Sequence, residues 1–456
     1  MNTLIKKEFN SIVGDSRFRD RLEDLLSYSY DAFTVESVPD LVLLPVSTAE
    51  ISAILKVASE HQIPVTARGA GSSICGAPVP VNGGIVLSMT MMNRILETNT
   101  PDRYCIVQPG VINGDLQAEL AKSAFFYPPD PGSMAFSTIG GNLAQNAGGP
   151  RCLKYGVTSD YVLGMEVVLA SGDVIRFGSR NVKDVTGYRL SGLFCGSEGT
   201  LGVVTEITLK VVPLPEAYRT VLAVFNDLDD SAATVSDIIG AGILPAALEL
   251  LDKVLINTVE DANNIGLPRE AEGLLLIEVD GSEEQVEKEL ALIVEKVLSN
   301  NAVDIQQART AEERDNLWQA RRSLYPSMAR LKPNCIVEDA TVPTSKVPEM
   351  IRGIRAIIDK YKLLCGIAAH AGDGNMHPLI ACDLRDHDEM ERVEKAIEEI
   401  FELAMANNGT LSGEHGIGIA KRKYLSMAID KPTLKFMHTL KQAVDPHGIL
   451  NPGKAI

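Results

Sequence analysis

The sequence predicts an α+β protein of more than one domain, and three observations carry that expectation. The chain has 456 residues, too many for one ordinary hydrophobic core. Its N-terminal region holds a strand–helix–strand pattern followed by three glycine-rich stretches within about 140 residues. Beyond Pro213-Leu214-Pro215 the glycines thin out, and long charged helical patterns alternate with short apolar runs until about residue 407, the mark of an antiparallel sheet with helices. The predicted boundaries are 1–212, 213–407 and a final glycine-rich segment, 408–456.

The elements follow in order. Residues 15–30 carry Phe18, Leu22, Leu25 and Leu26 at helical spacing. LVLLP (41–45) reads as a strand. Ser47 can cap a helix from Thr48 to about Glu60, and PVTAR (64–68) is the second strand of a βαβ unit. GGIVLSM (83–89) and CIVQPG (105–110) read as further strands, with a helix from Asn113 or Asp115 to Lys122 after them. YVLGMEVVLASGDVIRFG (161–178) predicts a hairpin turning at Ser171-Gly172-Asp173. In the central region, 282–299 and 387–406 read as helices. VLAVF (221–225), GLLLIEVDG (273–281) and IVEDATVP (336–343) read as strands.

Composition excludes several functions. A net charge of −17 repels nucleic-acid phosphates, so no nucleic-acid partner is expected. Seven cysteines with no Cys-x-x-Cys spacing disfavour a disulfide framework, a zinc ribbon or an iron–sulfur cluster, and suit a reducing compartment. The N-terminus lacks a signal-peptide pattern and no run reaches a membrane span, so a cytoplasmic protein is expected. Docking at a membrane through a partner stays open.

Glycine-rich loops let the backbone approach a ligand, and successive bare N–H groups bind anions. RGAGSSICGAP (68–78), with hydroxyls at Ser72 and Ser73, therefore suits a pyrophosphate, and STIGGNLAQNAGG (137–149) and LSGLFCGSEGTLG (190–202) are two further glycine-rich stretches. The nicotinamide fingerprint fails because Ile74 stands at its third glycine. A P-loop fails because Ala77 follows Gly76. The loops say dinucleotide without saying which, and single loops of this kind are often plain tight turns.

His370 and His377 flank AGDGNM (371–376), and the apolar flanks CGIAA and PLIAC predict a hairpin across that turn. Symmetric placement about the turn makes the two histidines cross-strand partners on one face. Glu414, in SGEHGIG, is a third ligand candidate, with His415 as a fourth donor or a free base. Two histidines and a carboxylate leave open positions on a divalent ion. A lone histidine is more often structural, as His61, His387 and His438 are read here.

With these residues in view, the sequence resembles the FAD-linked 2-hydroxy-acid oxidoreductases of the vanillyl-alcohol-oxidase (PCMH) type, the group of the glycolate oxidase FAD subunit and D-lactate dehydrogenases. The carriers are PVTARGAGSSICGA (64–77), YPPDPGS (127–133), TIGGNLAQNAGG (138–149), GSEGTLGVVTEITL (196–209), HAGDGNMH (370–377), SGEHGIG (412–418) and ILNPGK (449–454). The resemblance implies an FAD-binding domain of two α/β subdomains, an antiparallel-sheet cap domain, and a C-terminal segment returning to the FAD domain. It implies non-covalent FAD, since no histidine lies between His61 and His370. Arg68, Gly69, Gly71, Ser72 and Ser73 would meet the pyrophosphate. Pro131, Gly132, Thr138, Ile139, Gly140, Gly141, Asn146 and Gly149 would line FAD, and Glu198, Gly199, Gly202 and Ile207 its adenine end. His370, His377 and Glu414 would hold a divalent metal (Zn, Fe or Mn), His415 would be the base, and Arg321 and Asn375 would bind substrate, with Arg322 adjacent to Arg321.

The activity so implied is oxidation of a small 2-hydroxy acid, D-lactate or glycolate, by hydride transfer to flavin N5. A substrate-binding lysine of hydroxyglutarate enzymes has no match in IVEDATVP, which disfavours a dicarboxylate. Electrons would pass to an external acceptor: an iron–sulfur subunit, an electron-transfer flavoprotein or a quinone-linked partner. A homodimer is compatible with the reading. The alternatives are a same-fold alkyl-glycerone-phosphate or aryl-alcohol type flavoenzyme, which needs no two-histidine-plus-glutamate site, and a non-catalytic FAD relay subunit.

Overall fold

The computed structural model describes residues 1–308 and 310–456. The chain forms two compact units. One holds Met1–Gly148, Val157–Leu214 and Glu414–Ile456; the other holds Gly149–Gly156 and Pro215–Gly413. These divides differ from 212 and 407 for visible reasons. Val212–Pro213 pairs with Phe125–Phe126 and stays with the first unit. Thr410 bridges Thr341 and keeps the residues before Glu414 on the second. The excursion 149–156 belongs to the second unit because Lys154 ion-pairs with Asp280 and the Tyr155 hydroxyl donates to the same carboxylate at 2.7 Å.

In the first unit, a four-stranded sheet runs Phe18–Arg19, Leu41–Leu43, Ile85–Ser88, Val65–Arg68. Ser47 caps helix Thr48–Glu60 by accepting from the Glu50 N–H at 3.3 Å. The two strands around that helix do not touch each other. Ile85–Ser88 lies between them and pairs in parallel with both, which suits its fully buried, apolar run. The long helix expected over 15–30 shrinks to Leu22–Leu26, because Phe18 pairs with Leu43 at the sheet edge. A helix unforeseen from the sequence, Thr3–Val13, starts at the Asn2 cap and buries Phe9 and Val13 with Leu41, Ile51, Leu55 and Leu87. A second, antiparallel sheet runs Ile95–Asn99, Tyr104–Val107, Val203–Lys210, Val162–Val168, Val174–Gly178. It contains the expected hairpin, with Gly172 at φ 81° in the turn. The C-terminal tail joins this unit through a bridge from Leu450 to Val65.

The second unit is built on one sheet in which every pairing is antiparallel. Its order is Asp304–Ala308, Ala217–Phe225, Gly273–Gly281, Ala247–Asp252, Leu364–His370, Asn375–Cys382, Asn334–Val337, with Ala340–Thr341 added on Asn375–Cys382. Helices Glu283–Ser299 and His387–Ala406 form where expected, capped by Ser282 and Asp386. The run read as one strand, 336–343, breaks at Glu338 and Asp339, which are both buried.

Register decides what one face of this sheet carries. Side chains alternate between faces, so residues two apart share one. Leu222, Leu251, Leu274, Leu276, Ala368, Leu379 and Ala381 form an apolar core with Leu324 and Met328. Further along the same strands, two residues at a time, come Thr220, Glu249, Glu278, Asp280, His370, His377 and Asn375. One end of a greasy face is thus a row of polar side chains.

Candidate functional site

Within the first unit, two of the glycine loops converge. A Cβ at Gly69 would collide with the Thr138 hydroxyl, and one at Gly71 with the Arg68 guanidinium. Gly71 sits at φ 72°, a left-handed conformation that suits glycine. Thr138 caps helix Ile139–Gln145 through the Gly141 N–H at 3.2 Å. Around this cradle, Arg68 Nη1, Ser137 Oγ and Asn142 Nδ2 are buried with no hydrogen-bond partner among the described residues. Such atoms cost about 1–3 kcal/mol each when left unmade. An anionic, hydrogen-bonding ligand of the dinucleotide kind supplies what they lack.

The remaining loop residues divide by role. Gly140 is small because Pro109 presses on it, and Gly202 because Val167 does. Ile207 is buried in the middle of the antiparallel sheet, opposite Val107 and Met165. Asn146 is the left-handed end of its helix, and its side chain accepts from the Ser159 N–H at 2.9 Å. Ser73 Oγ accepts from the Cys75 N–H inside its own loop. The buried Glu198 carboxylate accepts the N–H groups of Ile417 at 2.7 Å and Gly418 at 2.9 Å. It fastens the Gly416–Gly418 turn. Burial still pushes its pKa up against those donors. Pro131 and Gly132 lie in a turn closed by Met134 N–H to Pro131 O, Gly199 is left-handed at φ 71°, and Gly149 begins the excursion into the second unit. Ser72 and Ile139 complete the two loops.

In the second unit, His370 and His377 share a face, though not as direct partners. The turn 371–374 sets His370 opposite Asn375 and His377 opposite Ala368, so the histidines are diagonal neighbours. Their ring centroids lie 4.9 Å apart, edge to face, and each offers a nitrogen within 4.8 Å of the other. Asp339 presents a carboxylate oxygen within the same reach of His377, and Ser412 donates to Asp339 at 2.5 Å. Asn375 accepts from Thr341 Oγ1 at 3.0 Å, and a Cβ at Gly413 would strike both side chains. Glu414 is the next residue in the chain. Glu414 and His415 open the last segment of the first unit, with His415 Nε2 3.8 Å from Glu414 Oε1.

A further acid organises this end of the sheet. Glu249 pairs across strands with His370 and is fully buried. Its Oε1 lies 2.6 Å from His370 Nδ1, and its Oε2 accepts from Arg321 Nε at 2.5 Å. Burial drives its carboxyl upward, yet His370 and Arg321 outweigh burial and hold it below its ordinary value. An ionised carboxylate only accepts, so the His370 ring donates to it from Nδ1. Arg321 hangs from helix Ala311–Arg322, which Arg314 and Trp318 fasten to the buried Glu278 at 2.6–2.8 Å. Arg322 points elsewhere, to the carbonyl of Asp315. The sequence reading missed Glu249, Glu278, Asp339 and Arg314. The signal available was an acid set inside an apolar run, as Glu249 is in AALELLD and Glu278 in GLLLIEVDG.

A cradle of glycines and unsatisfied buried donors in one unit, and a histidine–carboxylate–arginine cluster in the other, define a dinucleotide-dependent oxidoreductase class. The comparisons are more particular. Residues 39–178 match the FAD binding domain model, and residues 214–455 match that of the FAD linked oxidases, C-terminal domain. The glycolate oxidase subunit GlcD of Bacillus subtilis (strain 168) is 49% identical over 99% of this chain and 96% of its own. The D-lactate dehydrogenase of Anaerostipes hadrus is 35% identical over 95% and 93%. The crystal structure of p-cresol methylhydroxylase with substrate bound superposes with a TM-score of 0.82 at 17% identity, over 99% and 96%, and carries the fold. The chain belongs to the FAD-linked oxidases, and its fold is the PCMH type expected. All seven cysteines are free thiols, and among the described residues no helix is long and apolar enough to cross a membrane.

Proposed function

We propose that this chain oxidises a small 2-hydroxy acid, D-lactate or glycolate, to the 2-oxo acid, using FAD and a divalent metal. The observation that carries the reading is the pair of imidazoles, 4.9 Å apart, one of them held at Nδ1 by the buried Glu249 carboxylate. The relatives named glycolate oxidase subunit and D-lactate dehydrogenase support the substrate class.

His370, His377 and Glu414 would hold the metal, which supplies Lewis acidity toward the substrate hydroxyl and carboxylate. FAD, when bound, supplies the two-electron acceptor. The chain's own residues do the rest. Arg321 uses Nε on Glu249, and no partner among the described residues occupies its two Nη groups. Those groups can clasp a carboxylate end-on and fix the direction of the Cα–H bond. His415 takes the hydroxyl proton, a task suited to imidazole near neutral pH. Asn375, steadied by Thr341, offers a polar contact to the substrate. Electrons then leave to an external acceptor protein or quinone-linked partner, and the cytoplasm is the compartment we assign.

Steady-state assays with an artificial acceptor test this. D-lactate or glycolate should be oxidised, and His415→Ala should cost orders of magnitude in kcat with flavin retained. Wild-type protein that holds FAD yet turns over no 2-hydroxy acid would favour a relay subunit.

A further inference from the structure

We propose that Glu249 is a positioning residue that couples the metal ligand His370 to the substrate arm Arg321, so that one buried carboxylate sets both. The inference rests on the function proposed above and deepens it.

Glu249 has two oxygens and each has a different client: Oε1 meets His370 Nδ1 at 2.6 Å and Oε2 meets Arg321 Nε at 2.5 Å. Both clients are donors, and only a carboxylate can accept from both at once. A glutamine cannot. If its oxygen stays on Arg321, its NH2 faces His370 Nδ1 and forces the proton onto Nε2, the nitrogen a metal needs. If its oxygen stays on His370, its NH2 opposes the Arg321 N–H. Either way one half of the site loses its setting.

The link is specific because other contacts hold the backbone. Helix Ala311–Arg322 stays on the sheet through Arg314 and Trp318 on Glu278, two turns and one turn before Arg321. His370 stays in its strand through the ladders to Ala247–Asp252 and Asn375–Cys382. Changing Glu249 therefore acts on two side-chain orientations more than on the fold.

The test uses FAD-loaded wild-type protein, Glu249→Gln and Glu249→Asp. Calorimetric titration with Mn2+ reads the metal half. KM against kcat for glycolate and D-lactate reads the arginine half. Ring 15N spectra of the metal-free protein read the His370 tautomer. The expectation is an Nδ1–H tautomer in wild type that is lost or mixed in Glu249→Gln, Mn2+ binding weakened by about 10–100-fold, and KM raised. Glu249→Asp keeps the charge and should recover part of both. Mn2+ affinity and KM within about twofold of wild type in Glu249→Gln would overturn the proposal. If Glu249→Gln does not fold, Glu249→Asp decides: both readouts must shift together, and a shift in one alone contradicts the coupling. Wild-type protein that binds no Mn2+ overturns the metal reading beneath it, an outcome distinct from metal binding that ignores Glu249.

Discussion

Replacing Glu278 by alanine should destabilise the second unit by an amount that can be worked out. The Glu278 carboxylate accepts from Arg314 Nε at 2.6 Å and Nη2 at 2.7 Å, Trp318 Nε1 at 2.8 Å and Thr220 Oγ1 at 2.9 Å. It is fully buried, and the Arg314 side chain is 28% exposed. Removing one partner of such a pair strands the other charge and costs about 3–5 kcal/mol. In a unit of this size 1 kcal/mol moves Tm by about 2–4 °C, so a fall of roughly 6–20 °C follows. Pairing Glu278→Leu with Arg314→Met should return much of the loss, because an apolar pair leaves no orphaned charge. The pair also has a pH sign. Burial pushes the Glu278 carboxyl up, but Arg314 and Trp318 outweigh it and hold it below its ordinary value. Its contribution is thus present above the ordinary carboxylate range and lost as pH falls through the lower, folded value. Scanning calorimetry of the FAD-loaded protein reads all of this. A fall under about 3 °C in Glu278→Ala, or a double variant no better than the single, would refute the reasoning.

Three further outcomes are expected. Gly71→Ala forces a Cβ onto the Arg68 guanidinium at φ 72°, and the left-handed strain alone is worth about 1–2 kcal/mol, so FAD affinity should fall about tenfold or more; purified protein with unchanged flavin content would contradict the cradle. His377→Ala should lower Mn2+ affinity by more than about 100-fold, and calorimetric titration with unaltered affinity would move the metal elsewhere. Burial lifts the Asp31 carboxyl to about 6 against the N–H groups of Phe33 and Gly76. A raised carboxyl favours folding at low pH, and that contribution is lost as pH climbs through about 6. Urea midpoints of Asp31→Asn should therefore vary less than wild type between about pH 4 and 6, and identical profiles would speak against a buried Asp31.

What could be read from the chain was local. The Ser47 cap, the Ser171–Asp173 hairpin and the turn 371–374 each depend on residues within a few positions, and each forms as expected. Register was harder. A hairpin was legible, but the loop length that sets His370 against Asn375 shifts the expected His370–His377 pairing by two residues. Glu249 was out of reach, because its meaning comes from a strand 121 residues away in sequence and a helix 72 residues away. The glycines show a further limit. Gly71 and Gly202 are the same letter, yet one opens a cradle and the other makes room for Val167. The helix expected over 15–30 failed because Phe18 gains more at a sheet edge than on a helix face, where tertiary pairing overrides periodicity.

The measurement that bears most directly on the central claim is anaerobic reduction of the flavin band by D- and L-2-hydroxy acids, before and after EDTA. The account predicts rapid bleaching by D-lactate or glycolate, abolished by the chelator and restored by a divalent metal. A flavin band that no 2-hydroxy acid bleaches, or bleaching that EDTA leaves untouched, would contradict it.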